Sequence, residues 1–369
     1  MRVALIHDWL TGMRGGEKVL DVLCEVFPAA DLFTLVHVPG STSSTIERRR
    51  IVHSPIQWLP AAARRYREYL PLFPFAIEQF DLDGYDLVVS TSHCAAKSAV
   101  APGRARHLCY CHTPMRYAWD QFDAYFGVER VGPLRHAVLR RVLARLARWD
   151  RDTAGRVDRY LANSQCVARK IALYYNRAAS IVHPPVDTEF YTPAAASIHP
   201  RFLVVSALVP YKRVDLAMTA ARQAGVALTV VGDGPERSRL ETLAGNGIEL
   251  VGRRTDEEVR ALYRTSIATI LPGEEDFGIV PVESQACGRP VVALGRGGAL
   301  DTVVPGVTGV LVPDGSVQAL AAGLRTAAAA HWDSAAIRRH AERFSREAFV
   351  RGVTCAADEL MAAPAHHPW

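Results

Sequence analysis

The chain has 369 residues, 49% hydrophobic and 22% charged, with a formal net charge of +5. That length predicts two domains with ample core material, and the mild positive charge accommodates anionic ligands or an acidic membrane face without requiring nucleic acid. Seven scattered cysteines without a CxxC pair exclude a disulfide frame or zinc site and point to reduced thiols in a cytosol, and no apolar stretch approaches a membrane span.

The opening Met1-Arg-Val-Ala-Leu-Ile-His-Asp8 is too short an apolar run for a signal peptide and reads as a first strand over 3–6. Gly15 and Gly16 follow, then a helix over 17–26. Lacking Cβ, the two glycines let the chain approach a ligand closely. Further strands are predicted at 32–36, 87–90, 107–111, 160–162 and 180–182. Asp81-Leu82-Asp83 sits beside the Gly84-Tyr85 turn, and we read it as turn chemistry, with no metal. His112 ends a strand, where a neutral imidazole can accept from a sugar or polarise an acceptor; Arg116 follows as a candidate for neutralising an acidic group, or as a surface arginine.

Residues 135–151 carry Val138, Leu139, Val142, Leu146 and Trp149 at helical spacing, with Arg141, Arg145 and Arg148 on another face. Such a helix lies on an anionic membrane or is an ordinary domain helix. The segment 58–69, with Trp58, Arg64, Arg65 and Arg67, raises the same question. Residues 191–200 have two prolines and no period and read as a linker.

A second series of strands is predicted at 202–206, 228–231, 249–251, 268–271, 291–293 and 310–312, with helices at 214–224, 236–244 and 256–265. The alternation implies an α/β chain of two doubly wound, Rossmann-like domains, 1–192 and 193–345, facing each other across a deep cleft. The tail, 346–369, is expected to form a helix that packs back on the first domain.

The most informative segment is Glu275-Asp-Phe-Gly-Ile-Val-Pro-Val-Glu283. It runs from a strand through a loop into a short helix stopped by Gly288 and Pro290. Orphan amides at such a helix start favour a diphosphate, and the flanking carboxylates accept hydrogen bonds from hydroxyls. One phosphate site between two hydroxyl readers points to a nucleotide joined to a sugar.

With that segment placed on a second α/β domain, the chain resembles the retaining glycosyltransferases of family GT4, which have the GT-B fold. Gly15-Gly16-Glu17, His112-Thr-Pro-Met-Arg-Tyr117, Asn163-Ser164, His183-Pro-Pro-Val-Asp187, Ser206-Ala-Leu-Val-Pro-Tyr-Lys-Arg213, Val231-Gly-Asp-Gly-Pro235 and Cys287-Gly-Arg-Pro-Val291 stand in the matching order. Tyr69-Leu-Pro-Leu-Phe-Pro-Phe-Ala76 and Tyr85-Asp-Leu-Val-Val-Ser-Thr-Ser-His93 are similar to the GDP-mannose-using mannosyltransferases that build bacterial surface polysaccharides and glycolipids.

The resemblance implies a nucleotide-sugar donor, a lipid-linked or glycan acceptor, and work at the inner membrane face. Lys212 would neutralise the leaving diphosphate, with Arg213 a weaker partner. Glu275 would bind sugar hydroxyls near the anomeric carbon. The amides of Phe277, Gly278, Ile279 and Val280 would hold sugar and phosphate, and Glu283 would accept from the ribose hydroxyls. Gly15 and Gly16 would border acceptor and donor phosphate, and Gly232, Gly234 and Arg253 the nucleobase. The chain departs from the family at Ala207, where an arginine usually precedes the lysine. Two other readings stay open: a nucleotide-sugar epimerase of the same architecture, and a binding module without catalysis.

Overall fold

The computed structural model describes residues 1–364 apart from 104 and 196. The last five positions of the expected tail, 365–369, therefore lie outside the described residues. The chain forms two compact units, Met1–Pro185 with Phe349–Trp369, and Val186–Ala348.

Unit 1 is built on seven parallel strands: β1 (Val3–His7), β2 (Asp31–Thr34), β3 (Ile51–His53), β4 (Leu87–Ser92), β5 (Arg106–Cys111), β6 (Arg159–Ala162) and β7 (Ala179–Ile181). Their spatial order is β3-β2-β1-β4-β5-β6-β7. The side-chain period of two splits β1 and β4 between two cores. Ala4, Ile6 and Val88 face Phe33, Phe73 and Leu146 on one side. Leu5, Val89 and Leu108 face Leu20, Leu23, Phe349 and Val353 on the other. The helix Arg346–Ala362 thus contributes its apolar stripe to unit 1. Burying one such leucine or valine is worth about 1.5–3 kcal/mol.

Unit 2 repeats the plan with β8 (Arg201–Val205), β9 (Ala227–Val231), β10 (Ile248–Gly252), β11 (Thr269–Leu271), β12 (Val291–Leu294) and β13 (Gly309–Val312), in the order β10-β9-β8-β11-β12-β13. Both sheets reverse direction of winding beside their first strand, between β1 and β4 and between β8 and β11. Loops leaving the carboxyl ends of those strand pairs diverge, which opens a crevice for ligands.

Two sequence expectations change. β3 was not predicted: it is a three-residue edge strand, half-buried throughout, too short for a periodic signal. Tyr191, placed in the linker, is 4% exposed and packs on Tyr263, so unit 2 begins at Val186, before the boundary at 192/193. The helix Pro133–Asp152 buries Leu143, Leu146 and Ala147 and packs Val142 and Trp149 on the unit 1 core, leaving Arg141, Arg145 and Arg148 in water. Its second half is a domain helix; its exposed large apolar side chains, Leu134 and Val138, lie near its start. The Asp81 carboxylate accepts from the Asp83 amide at 3.1 Å, an Asx turn completed by Gly84 at φ +77°.

Candidate active site

In unit 2 the crevice lies at the ends of β8 and β11. The loop after β8 ends in a short turn of 3-10 helix, Pro210–Lys212, and the loop after β11 carries Glu275. The two meet: the Lys212 ammonium donates directly to Glu275 Oε1, with side-chain exposures of 21% and 12%. Partial shielding from water makes the pair stronger than a surface one and keeps both groups accessible to a ligand.

Beyond it, the helix Ile279–Ala286 starts at Gly278 (φ +86°) with no side chain capping its end. The Ile279 and Val280 amides stand in its first turn, where no intrahelical acceptor exists. The Phe277 side chain is buried against Phe344, so only its backbone is turned to the loop. Glu283 is 6% exposed, and the Tyr263 hydroxyl donates to its Oε2 at 2.9 Å. Burial and the adjacent Glu283 charge push the Tyr263 phenol well above its ordinary range, so it stays a donor.

The loops after β8 and β9, expected from the resemblance to border the nucleobase, are held backbone to backbone. The Ser206 amide donates to Val231 O at 3.0 Å and the Leu208 amide to Asp233 O at 3.0 Å. Gly232 has φ +134°, and a Cβ there would lie 1.8 Å from Ser206 O, so no other residue fits. Arg253 is exposed in the loop after β10. Ala207 is exposed on the loop after β8. Arg213, the nearest candidate to replace the missing arginine, has its Nε 3.6 Å from Asp215 Oδ1 and is half-exposed. It is engaged at the start of the helix Val214–Ala224, in left-handed backbone (φ +52°).

In unit 1 the crevice lies at β1 and β4. His7 ends β1 opposite Thr91, and its Nδ1 is 2.5 Å from Thr91 Oγ1. Asp8 is fully buried and accepts four backbone amides, from His93, Cys94, Ala95 and Ala96, at 2.6–2.9 Å. His93 Nδ1 stands 3.1 Å from the same carboxylate. Gly15 and Gly16 open the helix Gly15–Val26, and Glu17, 3% exposed, accepts from the Arg14 amide at 3.1 Å.

His112 follows β5, its carbonyl held by Asn163 Nδ2 at 2.9 Å. Burial, reinforced by His93, His7 and Arg116, holds its imidazole neutral, well below the usual histidine range. A Cβ on Gly16 would lie 3.7 Å from His112 Nε2, so these two predicted residues are neighbours. Arg116 begins the short helix Arg116–Trp119, whose Trp119 indole donates to buried Asp150 at 2.7 Å.

The structure thus groups Lys212, Glu275, Phe277–Val280 and Glu283 in unit 2, and Gly15, Gly16, His112 and Arg116 in unit 1. Sequence reading missed Tyr263, His7, Asp8, Glu17 and His93. The one available signal was a His-Asp pair at a strand's carboxyl end, in a strand otherwise apolar.

Residues 13–190 match the model of Glycosyltransferase Family 4, and residues 193–346 that of Glycosyl transferases group 1. The chain is similar to a D-inositol 3-phosphate glycosyltransferase of Geodermatophilus obscurus, 34% identical over 244 residues, 56% of this chain and 54% of that one. It is 30% identical over 275 residues, 63% and 61% of the two chains, to the protein of that name from Mycobacteroides abscessus. It spans about half the length of the curated relatives it matches.

Among solved structures, sucrose-phosphate synthase of Thermosynechococcus elongatus superposes with a TM-score of 0.73 at 20% identity, over 99% of this chain and 100% of that one. Anabaena HepE in complex with UDP does so with 0.71 at 18% identity, over 97% and 100%. Two parallel-sheet Rossmann-like units with these neighbours define a GT-B protein. The two family models together take in most of the chain, and it belongs to the group 1, family 4-like glycosyltransferases.

Proposed function

We propose that the protein transfers a hexose from a nucleotide diphosphate sugar to a lipid-linked or glycan acceptor, with retention at the anomeric carbon. The observation that carries this is the meeting of Lys212, Glu275 and the uncapped helix start at Ile279 at the β8/β11 crevice. A cation and free amides suit a leaving diphosphate, and a carboxylate beside them suits sugar hydroxyls. Unit 2 would hold the nucleotide and unit 1 would serve the acceptor. The acceptor would attack on the face the nucleotide leaves, with a phosphate oxygen taking its proton.

We take the donor to be GDP-mannose, on the resemblance carried by residues 69–76, 85–93 and 111–120. A UDP sugar is the second reading, favoured by the UDP and UDP-glucose complexes of Anabaena HepE. Calorimetric titration with GDP and UDP separates the two. Tighter GDP binding supports the mannose reading; tighter UDP binding sinks it and keeps the transferase class.

A membrane-borne acceptor would also account for the surface around Trp58 and Phe75, which are 78% and 63% exposed. Exposed Arg64, Arg65 and Arg67 stand in the same segment. No helix among the described residues is long and apolar enough to cross a membrane.

A further inference from the structure

A cavity of about 530 Å³ opens in unit 1 away from the β1/β4 crevice. Arg2 stands just before β1, Arg50 just before β3 and Asp83 a few residues before β4, so this part of its rim lies at the amino ends of those strands. The crevice lies at the carboxyl ends of β1 and β4, a strand length of about 17 Å away. No residue placed above at the donor or the acceptor lines the cavity. Its volume falls in the range of about 300–1,000 Å³ typical of small-molecule sites.

The cavity exists because the sheet edge is incompletely covered. Phe33 on β2 and Val52 on β3 are register partners and share one face of the sheet. The chain over 55–80 packs on that face through Ile56, Phe73 and Phe80, and leaves Val52 half-buried. Phe33, Phe80 and Tyr85 form an aromatic floor, with the Phe80 and Tyr85 ring centroids 5.4 Å and 5.8 Å from that of Phe33.

The rim is polar and held in place. Arg2 lies over the Tyr85 ring at 4.6 Å and donates to Gly84 O at 3.2 Å. The Tyr85 hydroxyl donates to Asp31 Oδ2, and Arg50 Nη1 donates to the same oxygen at 3.4 Å. One carboxylate thus fixes both a floor ring and the second guanidinium. These contacts leave most of the N–H donors of both arginines available. Asp81 and Asp83, both exposed, bring carboxylates to the same rim.

This lining selects the guest. Two carboxylates disfavour an anion, and two guanidiniums disfavour a cation. A wholly apolar guest would take water from these charges and return no hydrogen bond. A neutral sugar ring suits both parts of the cavity. Its hydroxyls accept from the arginines and donate to the carboxylates, and its C–H face covers the aromatic floor.

We propose that this cavity is a second binding site, for a neutral sugar ring, separate from the site of transfer. Binding here involves no turnover, so the proposal stands or falls apart from the transferase reading. The ring is either a free sugar or one unit of a longer glycan; the contacts are the same.

The test is methyl NMR on the full-length protein, following Val52, which lines the cavity and is assigned through Val52→Ile. The probes are methyl α-mannoside, methyl β-glucoside, mannobiose and cellobiose, with inorganic phosphate and spermidine as charged controls. At least one sugar should move the Val52 resonances saturably, and neither control should. Tighter binding of a disaccharide than of its monosaccharide glycoside assigns the site to a glycan chain; equal binding assigns it to a single sugar. Asp83→Asn, at an exposed position, should keep the Tm and weaken the sugar about tenfold, as expected for one lost charge-assisted hydrogen bond. Val52→Phe fills the cavity and should abolish binding, with thermal unfolding as the check on its fold. The site is overturned if no sugar moves the Val52 resonances, if phosphate or spermidine moves them as much, or if either variant binds the sugar like the wild type. Sugar binding here without nucleotide release from any nucleotide sugar keeps the site and counts against the transferase reading; release without binding here does the reverse.

Discussion

Replacing Lys97 by methionine should destabilise unit 1 far more than a typical lysine substitution. Lys97 and Asp150 form an ion pair of 3.0 Å with side-chain exposures of 1% and 0%. Lys97 also donates to Ser98 Oγ at 3.1 Å and Thr153 Oγ1 at 3.3 Å, and lies over the Tyr175 ring at 4.6 Å. Asp150 Oδ2 accepts from Trp119 Nε1 at 2.7 Å and the Tyr175 hydroxyl at 2.8 Å. Methionine has nearly the same shape, so the main loss is the cation. Breaking a buried pair from one side costs about 3–5 kcal/mol, and the two remaining donors to Asp150 place the cost at the low end, about 3 kcal/mol. At about 2–4 °C per kcal/mol for a unit of this size, Tm falls by roughly 6–12 °C. Urea unfolding followed by tryptophan fluorescence measures it, since Trp119 reports on this cluster. Lys97→Met with Asp150→Asn removes the stranded charge and should recover at least half of the loss. A loss under about 1 kcal/mol, the worth of a surface pair, would refute the argument, as would a double variant no better than the single one.

Gly232→Ala forces a Cβ to within 1.8 Å of Ser206 O at φ +134°, so it should cost about 2 kcal/mol or more and weaken nucleotide binding in calorimetry. Tyr263→Phe removes the 2.9 Å donor to buried Glu283 and should destabilise unit 2 by about 1.5–3 kcal/mol, read by thermal unfolding. Burial depresses the His107 imidazole to about 4 from 6.5, so the unfolded chain binds a proton that the folded one refuses. Stability is therefore complete above about pH 6.5 and falls toward pH 4 by on the order of 3 kcal/mol. His93 and His112, also depressed by burial, act with the same sign. Unfolding titrations across that range should show the slope, and His107→Gln should flatten part of it.

What the sequence disclosed divides by the kind of information involved. The segment 275–283 was legible because its chemistry lies in one stretch: a loop acid, a glycine at the helix start and a second acid inside the helix. The parallel strands were legible because β1, β4 and β5 are buried on both faces and each carries a short apolar stretch, 3–6, 87–89 and 108–111. Partners distant in the chain were not legible. Lys212 and Glu275 were each chosen, but their direct pairing depends on how the loops after β8 and β11 converge. Tyr263 lies on the helix Asp256–Thr265, and nothing near it in the sequence points to Glu283, the acid its hydroxyl donates to. His7 lies just past the predicted strand over 3–6, and only the opposing Thr91 and the Gly16 backbone give its ring a setting. The helix Pro133–Asp152 shows the converse limit: its two faces were evident, but packing alone decides which one meets the core.

The most direct test of the central claim is nucleotide release from GDP-mannose, with UDP-glucose in parallel, by the wild type and by Lys212→Ala and Glu275→Gln. The account predicts slow release from one donor by the wild type and a fall of about 10²–10³ in rate in Lys212→Ala, the magnitude of losing one contact to a developing negative charge. Glu275→Gln should also release more slowly, with its affinity for bare nucleotide little changed. No release from either donor with lipid or glycan acceptors supplied, or variants as fast as the wild type, would contradict it.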